Sequence, residues 1–339
     1  MVDTEGQGST SAHQPQTREF TGSSPARPTS MARAITRADI EAAAARIDAH
    51  VRTTPVIEVG HLLSDEYDLV LKLEHLQVTG SFKPRGAFSL LTSHQIGPAG
   101  IAAASGGNFG IAAAHAARRL GHRATIFVPD TSPEEKVGRI GAEGAEVRVV
   151  PGYYDEALGE ARRFIAETGA FEAHAYDQAE VVAGQGTLGQ EILGQVPGAV
   201  VVVVPVGGGG LIGGVASWCQ GDVTLVAVEP ERCASFNASL RAGRQVEVEV
   251  GGVAASSLGA RTVGDHAWAA RQWVAESILV TEDSIIEAQS WLWHELKLAV
   301  EPAAATTVAA LRSGSFRPQT GDTVVVLLSG GNVDLATIA

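Results

Sequence analysis

The sequence predicts an α/β protein of two doubly wound sheet domains. Three observations carry that expectation. Short apolar runs alternate with helical segments along almost the whole chain. The 339 residues suffice for about two domains and a sizeable core. With 45% hydrophobic and 19% charged residues and 39 glycines, the composition fits a globular α/β protein rather than a fibrous or disordered one.

The first 34 residues are rich in Ser, Thr, Gly, Gln and Pro and read as a disordered tail without a signal peptide's apolar run, and Met31 offers an alternative start. Order is expected from "ITRADIEAAAARI", where Thr36 and Asp39 have the spacing of a capped helix start. "LVLKLE" (69–74) then reads as a strand ahead of "GSFKPRGAF" (80–88). "GIAAAS" leads into the helix "NFGIAAAHAARRL", "ATIFVPD" into "SPEEKVGRI", and "AEVRVV" into "YYDEALGEARRFIAE". "VVVVVPV" (200–206) precedes "GGGGLIGGVASWC", and "TLVAVEP" precedes "CASFNASLRAG". A long helix over "SIIEAQSWLWHELKLAV" comes before the last strand, "TVVVLLSGG". Unbroken apolar strands of this kind are buried on both faces, as in parallel sheets covered by helices.

Charge and cysteine content narrow the function classes. With 25 basic against 38 acidic side chains the net charge is −13, unsuited to nucleic acid or anionic membranes. No apolar run reaches the length of a membrane span. Cys219 and Cys233 form no CxxC pair, so neither a disulfide framework nor a zinc site is indicated, and the reducing cytoplasm is expected. The ten histidines show no ligand spacing; His115 and His294 read as packing or solvated residues, and no metal is assigned.

Ligands of such sheets bind beyond the carboxyl ends of strands, and four turns there stand out. "GSFK" puts Lys83 at a helix start, with Pro84 suited to the first turn, and the positive end of the helix favours a neutral amine. "SGGNFG" (105–110) can offer free N–H groups to an anion such as a carboxylate, and "VGGGGL" (206–211) to a phosphate. "SGGN" (329–332) ends the last strand. A dinucleotide fingerprint is the rival: Gly208, Gly210 and Gly213 fit G-x-G-x-x-G, and Glu229 ends the next strand. That reading leaves Lys83 and the two SGGN turns unused.

With these turns in order, together with "VAGQGTLGQEI", "VEP" and "LAVEPAAA", the chain from Ile35 to Val333 resembles the serine/threonine dehydratases, pyridoxal-phosphate enzymes of the tryptophan-synthase-β-like fold. The resemblance implies a large cofactor-binding domain (35–98 and 177–339), a small domain (99–176) and a homodimer. It implies that Lys83 holds pyridoxal 5'-phosphate through its amine and then serves as general base, with Phe82 against the cofactor ring. Asn108 is expected at the ring hydroxyl, Gly207, Gly208, Gly209, Gly210 and Leu211 at the phosphate, Ser329 at the pyridine nitrogen and Glu301 in support. Ser105, Gly106, Gly107 and Asn108 match the turn that grips the substrate carboxylate. The implied reaction removes water from a β-hydroxy amino acid such as L-threonine or L-serine, giving a 2-keto acid and ammonia.

Two departures bear on the substrate. The family turn is commonly Ser-Ser-Gly-Asn-His; here Gly106 and Phe109 replace the second serine and the histidine. In serine racemases a serine hydroxyl in this turn supplies an acid opposite the lysine, and Gly106 carries none, so elimination is expected over racemisation. The acid that accompanies Glu229 at a relative's cation site is here Ser235.

Lys83→Ala is expected to abolish turnover, because cofactor attachment and base are lost together. The wild-type protein should be yellow, and borohydride should fix a pyridoxyl mass on the peptide containing Lys83. A colourless protein that binds a nicotinamide nucleotide instead would overturn the assignment.

Overall fold

The computed structural model describes residues 33–338; most of the expected tail lies outside them. Helix α1 (Arg37–Ile47) starts at Thr36, whose hydroxyl accepts the Asp39 N–H while the Asp39 carboxylate accepts the Thr36 N–H. Strands β1 (Val56–Gly60) and β2 (Asp68–Lys72) follow, then α2 (Lys83–Ser93). A run of strand–helix units comes next: β3 (Ile101–Ala104) and α3 (Asn108–Arg119), β4 (Ala124–Pro129) and α4 (Glu134–Ala142), β5 (Glu146–Val150) and α5 (Tyr154–Thr168), and β6 (Phe171–Glu172) and α6 (Ala179–Gln195). The later units are β7 (Val201–Pro205) with α7 (Gly210–Cys219), and β8 (Thr224–Pro230) with α8 (Ser235–Ala242), α9 (Ala255–Leu258) and α10 (Asp265–Ala270). Strand β9 (Glu276–Val280), helices α11 (Glu282–Leu296) and α12 (Pro302–Arg312) and strand β10 (Thr323–Leu327) complete the order.

The strands form two sheets. Six lie in the order β1-β2-β10-β7-β8-β9, all parallel except β1, which runs antiparallel to β2. The other four, β5-β4-β3-β6, are all parallel. Strands β1, β6 and β9 were not foreseen; β9 is an edge strand in which only Val280 is buried. Strand β1 is a half-buried edge with an irregularity between Glu58 and Gly60, and β6 spans two residues, so neither has the apolar run of a central strand.

Both faces of the larger sheet are covered, which explains its unbroken valines. Val201 and Val203 of β7 and Val324 and Val326 of β10 pack with Ile285, Leu292 and Val308 of α11 and α12. The alternating Val202, Val204, Val325 and Leu327 pack with Leu188, Val215 and Ala267 of α6, α7 and α10. In the smaller sheet Ile101 and Ile126 join α2 and α3, while Ala102 and Phe127 face α5.

Behind the start of α2 lies a buried polar layer. Arg85 donates two hydrogen bonds to Glu74, at 2.8 and 2.7 Å, and a third to Glu191 at 2.8 Å. Lys72 reaches Glu191 at 2.5 Å and the Thr54 carbonyl at 2.6 Å. Burial alone would raise the Glu74 carboxyl, yet the Arg85 charge and hydrogen bonds hold it below the ordinary range. The layer ties β2, α2 and α6 together two residues beyond Lys83.

Removing Arg85 strands the buried Glu74 carboxylate and takes one of two cationic partners from Glu191, so Arg85→Leu should cost about 3–5 kcal/mol. Urea unfolding is the measurement; a midpoint within about 1 kcal/mol of the parent would show that the layer stabilises little.

Candidate active site

The lysine turn is set by a short pairing of two chain segments. The Phe82 N–H donates to the Ser329 carbonyl at 3.1 Å, and Ser81 forms an antiparallel bridge with Gly330. The end of β10 is thereby stitched to the start of α2, which brings Lys83 and Ser329 together. Thr79 and Gly80 precede this stitch with φ of 62° and 77°. Gly80 is required twice over: its backbone is left-handed, and a Cβ there would overlap the Asn332 side-chain oxygen.

Lys83 is the first residue of α2 and half-buried. Its Nζ donates to the Ala175 carbonyl at 3.2 Å and lies 4.9 Å and 5.9 Å from the Phe82 and Phe109 ring centres. Burial lowers the amine to about 8, with the negative charge of Glu301 opposing the shift. A neutral, nucleophilic amine is thus accessible near neutral pH.

Glu301 precedes α12, its N–H on the Gly330 carbonyl at 2.9 Å. Its buried carboxylate accepts from Lys136 at 2.6 Å, Ser257 at 3.2 Å and Asn108 at 2.6 Å. Asn108 was expected at a ring hydroxyl; its amide is committed to Glu301, and its oxygen accepts from Asn332 at 2.8 Å, which leaves one amide N–H for a ligand. Asn332 also donates to the Thr79 carbonyl at 2.9 Å and accepts from Arg139. Lys136 and Arg139 lie three residues apart on α4, so one helix face reaches both Glu301 and Asn332.

In the turn before α3, the Ser105 hydroxyl oxygen accepts N–H groups of Gly110 at 3.1 Å and Gly107 at 3.4 Å. Ser105 therefore shapes this turn and keeps only its own O–H to offer. The tetraglycine turn after β7 is packed against the Tyr176 ring, so that a Cβ at Gly208 would lie 2.5 Å from it. Gly209 has φ of 92°, open to glycine at no steric cost. The N–H groups of Gly207, Gly208 and Gly209 find no acceptor among the described residues. Leu211 points into the core with Val206 and Val215, so only its backbone can face a phosphate. The Ser329 hydroxyl likewise has no hydrogen-bond partner among the described residues.

Residues 47–330 match the family model for pyridoxal-phosphate dependent enzymes. The chain belongs to that family. An L-threonine ammonia-lyase of Thermotoga maritima is 37% identical over 80% of this chain and 69% of the relative. One of Geobacter sulfurreducens is 36% identical over 88% and 76%. Among solved structures, a threonine deaminase of T.th. superposes with a TM-score of 0.82 at 35% identity, over 88% of this chain and 99% of the other. Maize serine racemase gives 0.84 at 30%, over 90% and 96%.

The residues present fit pyridoxal phosphate. Lys83 would offer an amine to its aldehyde, the tetraglycine turn open N–H donors to its phosphate, and Ser329 a neutral hydroxyl to its ring nitrogen. Sequence reasoning missed Lys136, Arg139, Ser257 and Tyr176. None of them carried a local signal: the lysine of "SPEEK" reads as a helix-surface charge, yet it proves to be 5% exposed.

Beside the tetraglycine turn, Glu229 is fully buried and accepts the Phe236 and Asn237 N–H groups at 2.8 and 2.7 Å, while Ser235 donates to the Gly207 carbonyl at 3.3 Å. Burial outweighs the two N–H groups and lifts the Glu229 carboxyl from 4.5 to about 8. Over that range the folded protein holds a proton that the unfolded chain releases, so this contribution to stability falls as pH rises. Melting temperatures should show the wild type losing ground to Glu229→Gln between about pH 5 and pH 8. Parallel curves for the two proteins would exclude a protonated Glu229.

Proposed function

We propose that the protein is a pyridoxal-phosphate-dependent ammonia-lyase that converts a β-hydroxy amino acid, L-threonine or L-serine, to a 2-keto acid and ammonia. The observation that carries this reading is the half-buried Lys83 amine at the head of α2, with Ser329, a neutral hydroxyl, held to the same turn through the Phe82 N–H. Support comes from relatives named L-threonine ammonia-lyase at 36–37% identity.

When bound, the cofactor withdraws electrons from the substrate's Cα and so acidifies its proton. The chain supplies the rest. Lys83, once free, is a base of suitable strength for the Cα proton near neutral pH. The 105–108 turn orients the substrate carboxylate with backbone donors, and Asn108, clamped between Glu301 and Asn332, keeps that turn in place. Ser329 cannot protonate the ring nitrogen as a carboxylic acid could. A neutral Ser329 at that place would therefore favour prompt loss of the β-hydroxyl. That hydroxyl leaves with a proton as water, and the released enamine hydrolyses to keto acid and ammonia.

The reading includes a cofactor domain of residues 35–98 and 177–339, a small domain of 99–176 and a cytoplasmic homodimer. The separate sheets support the division. The two cysteines are free and buried, and no described helix is long and apolar enough to cross a membrane.

Incubation with L-threonine and L-serine should release keto acid and ammonia in equal amounts, with the starting enantiomer left unchanged. Fast formation of the inverted amino acid with little keto acid would replace the lyase reading with that of a racemase. Keto acid from a β-substituted amino acid other than these two would keep the elimination and change the leaving group.

A further inference from the structure

Gly106 leaves the substrate turn without a side chain, yet the space beside it is filled. A Cβ at Gly106 would overlap the Ser132 hydroxyl and lie 2.6 Å from the Ser132 Cβ. Ser132 belongs to the turn between β4 and α4, and its N–H is fixed on the Pro129 carbonyl at 3.0 Å. The residue is half-buried, and its hydroxyl has no hydrogen-bond partner among the described residues. Gly106 itself carries no hydroxyl, as the sequence shows, but one is delivered beside it from a different loop.

We propose that Ser132 is a substrate-binding residue whose hydroxyl donates to the carboxylate of the bound amino acid at the 105–108 turn. This rests on the reading of that turn as the carboxylate site. Three features favour a carboxylate. The Gly106 N–H has no acceptor among the described residues, and the Gly107 N–H has only a long bond to Ser105 at 3.4 Å. Both glycines thus offer donors on a strand-to-helix turn, where an anion is favoured. A serine hydroxyl adds a donor without adding charge, as an oxygen held by several N–H groups requires.

The geometry also makes positions 106 and 132 exclusive. Gly106 gives Ser132 its room, and a side chain at 106 forces the β4–α4 turn to move. The hydroxyl can come from either position but not from both without rearrangement. A binding role is separated from a merely structural one by loss of affinity for carboxylate ligands alone, with kcat nearly unchanged.

The test uses the holoenzyme. Ser132→Ala should raise KM for L-threonine about ten- to thirty-fold, the worth of one hydrogen bond to a charged group, with kcat nearly unchanged. Calorimetry with glycine, which has the carboxylate but no leaving group, should show the same loss of affinity; ethanolamine, which lacks the carboxylate, should bind wild type and Ser132→Ala alike. Gly106→Ser alone should impair binding through the clash. Gly106→Ser combined with Ser132→Gly should recover most of it.

Unchanged glycine affinity and KM in Ser132→Ala would overturn the proposal and leave the lyase reading intact. A wild type that forms no keto acid from any β-hydroxy amino acid, yet loses glycine affinity on Ser132→Ala, would overturn the lyase reading and leave Ser132 in place. Formation of D-serine from L-serine by the wild type, lost in Ser132→Ala, would put the hydroxyl over the substrate's Cα and overturn the carboxylate assignment.

Discussion

Glu301 is the residue on which the active site depends. Its carboxylate is 3% exposed, and so buried a charge persists only where donors replace the lost water. Three do so: Lys136 from α4, Ser257 from α9 and Asn108 from the start of α3. Elements from both sheets are thereby drawn to one point beyond the strand ends. The charge also tempers the burial of Lys83, whose amine stays within a range where both protonation states are accessible.

A second constraint lies behind the lysine. Arg85 sits two residues after Lys83 and is held by Glu74 and Glu191, so the first turn of α2 is anchored from its inner side. In front, the stitch between Phe82 and Ser329 fixes the same turn from the opposite direction. Lys83 therefore projects from a backbone clamped on two sides, while its Nζ bonds a single carbonyl among the described residues. A rigid base with a lightly committed head suits a group that must change partners during a reaction.

Much of this was legible in the sequence because its signals are local. The Thr36–Asp39 cap, the valine runs and the glycine turns each act through neighbours a few residues away, and each lies where expected. Strand β1 was not legible, because an edge strand with one half-buried face lacks the continuous apolar run of β7 or β10. The partners of Glu301 were equally hidden. Lys136 looks like any helix-surface lysine in its own segment, and only the approach of α4 to α12 gives it a buried acid to meet.

The sequence by itself determined the alternation of strands and helices, the turns at the strand ends and the lysine that belongs at one of them. These follow from backbone preferences and from apolar side chains that must be buried on both faces of a sheet. Tertiary structure alone decided which side chains share the site: that Asn108 bonds Glu301 and Asn332, that Leu211 turns into the core, and that Ser132 fills the space left by Gly106. Such pairings join residues 26 to 224 positions apart, and their energies come from desolvated contacts that exist only once both sheets have folded.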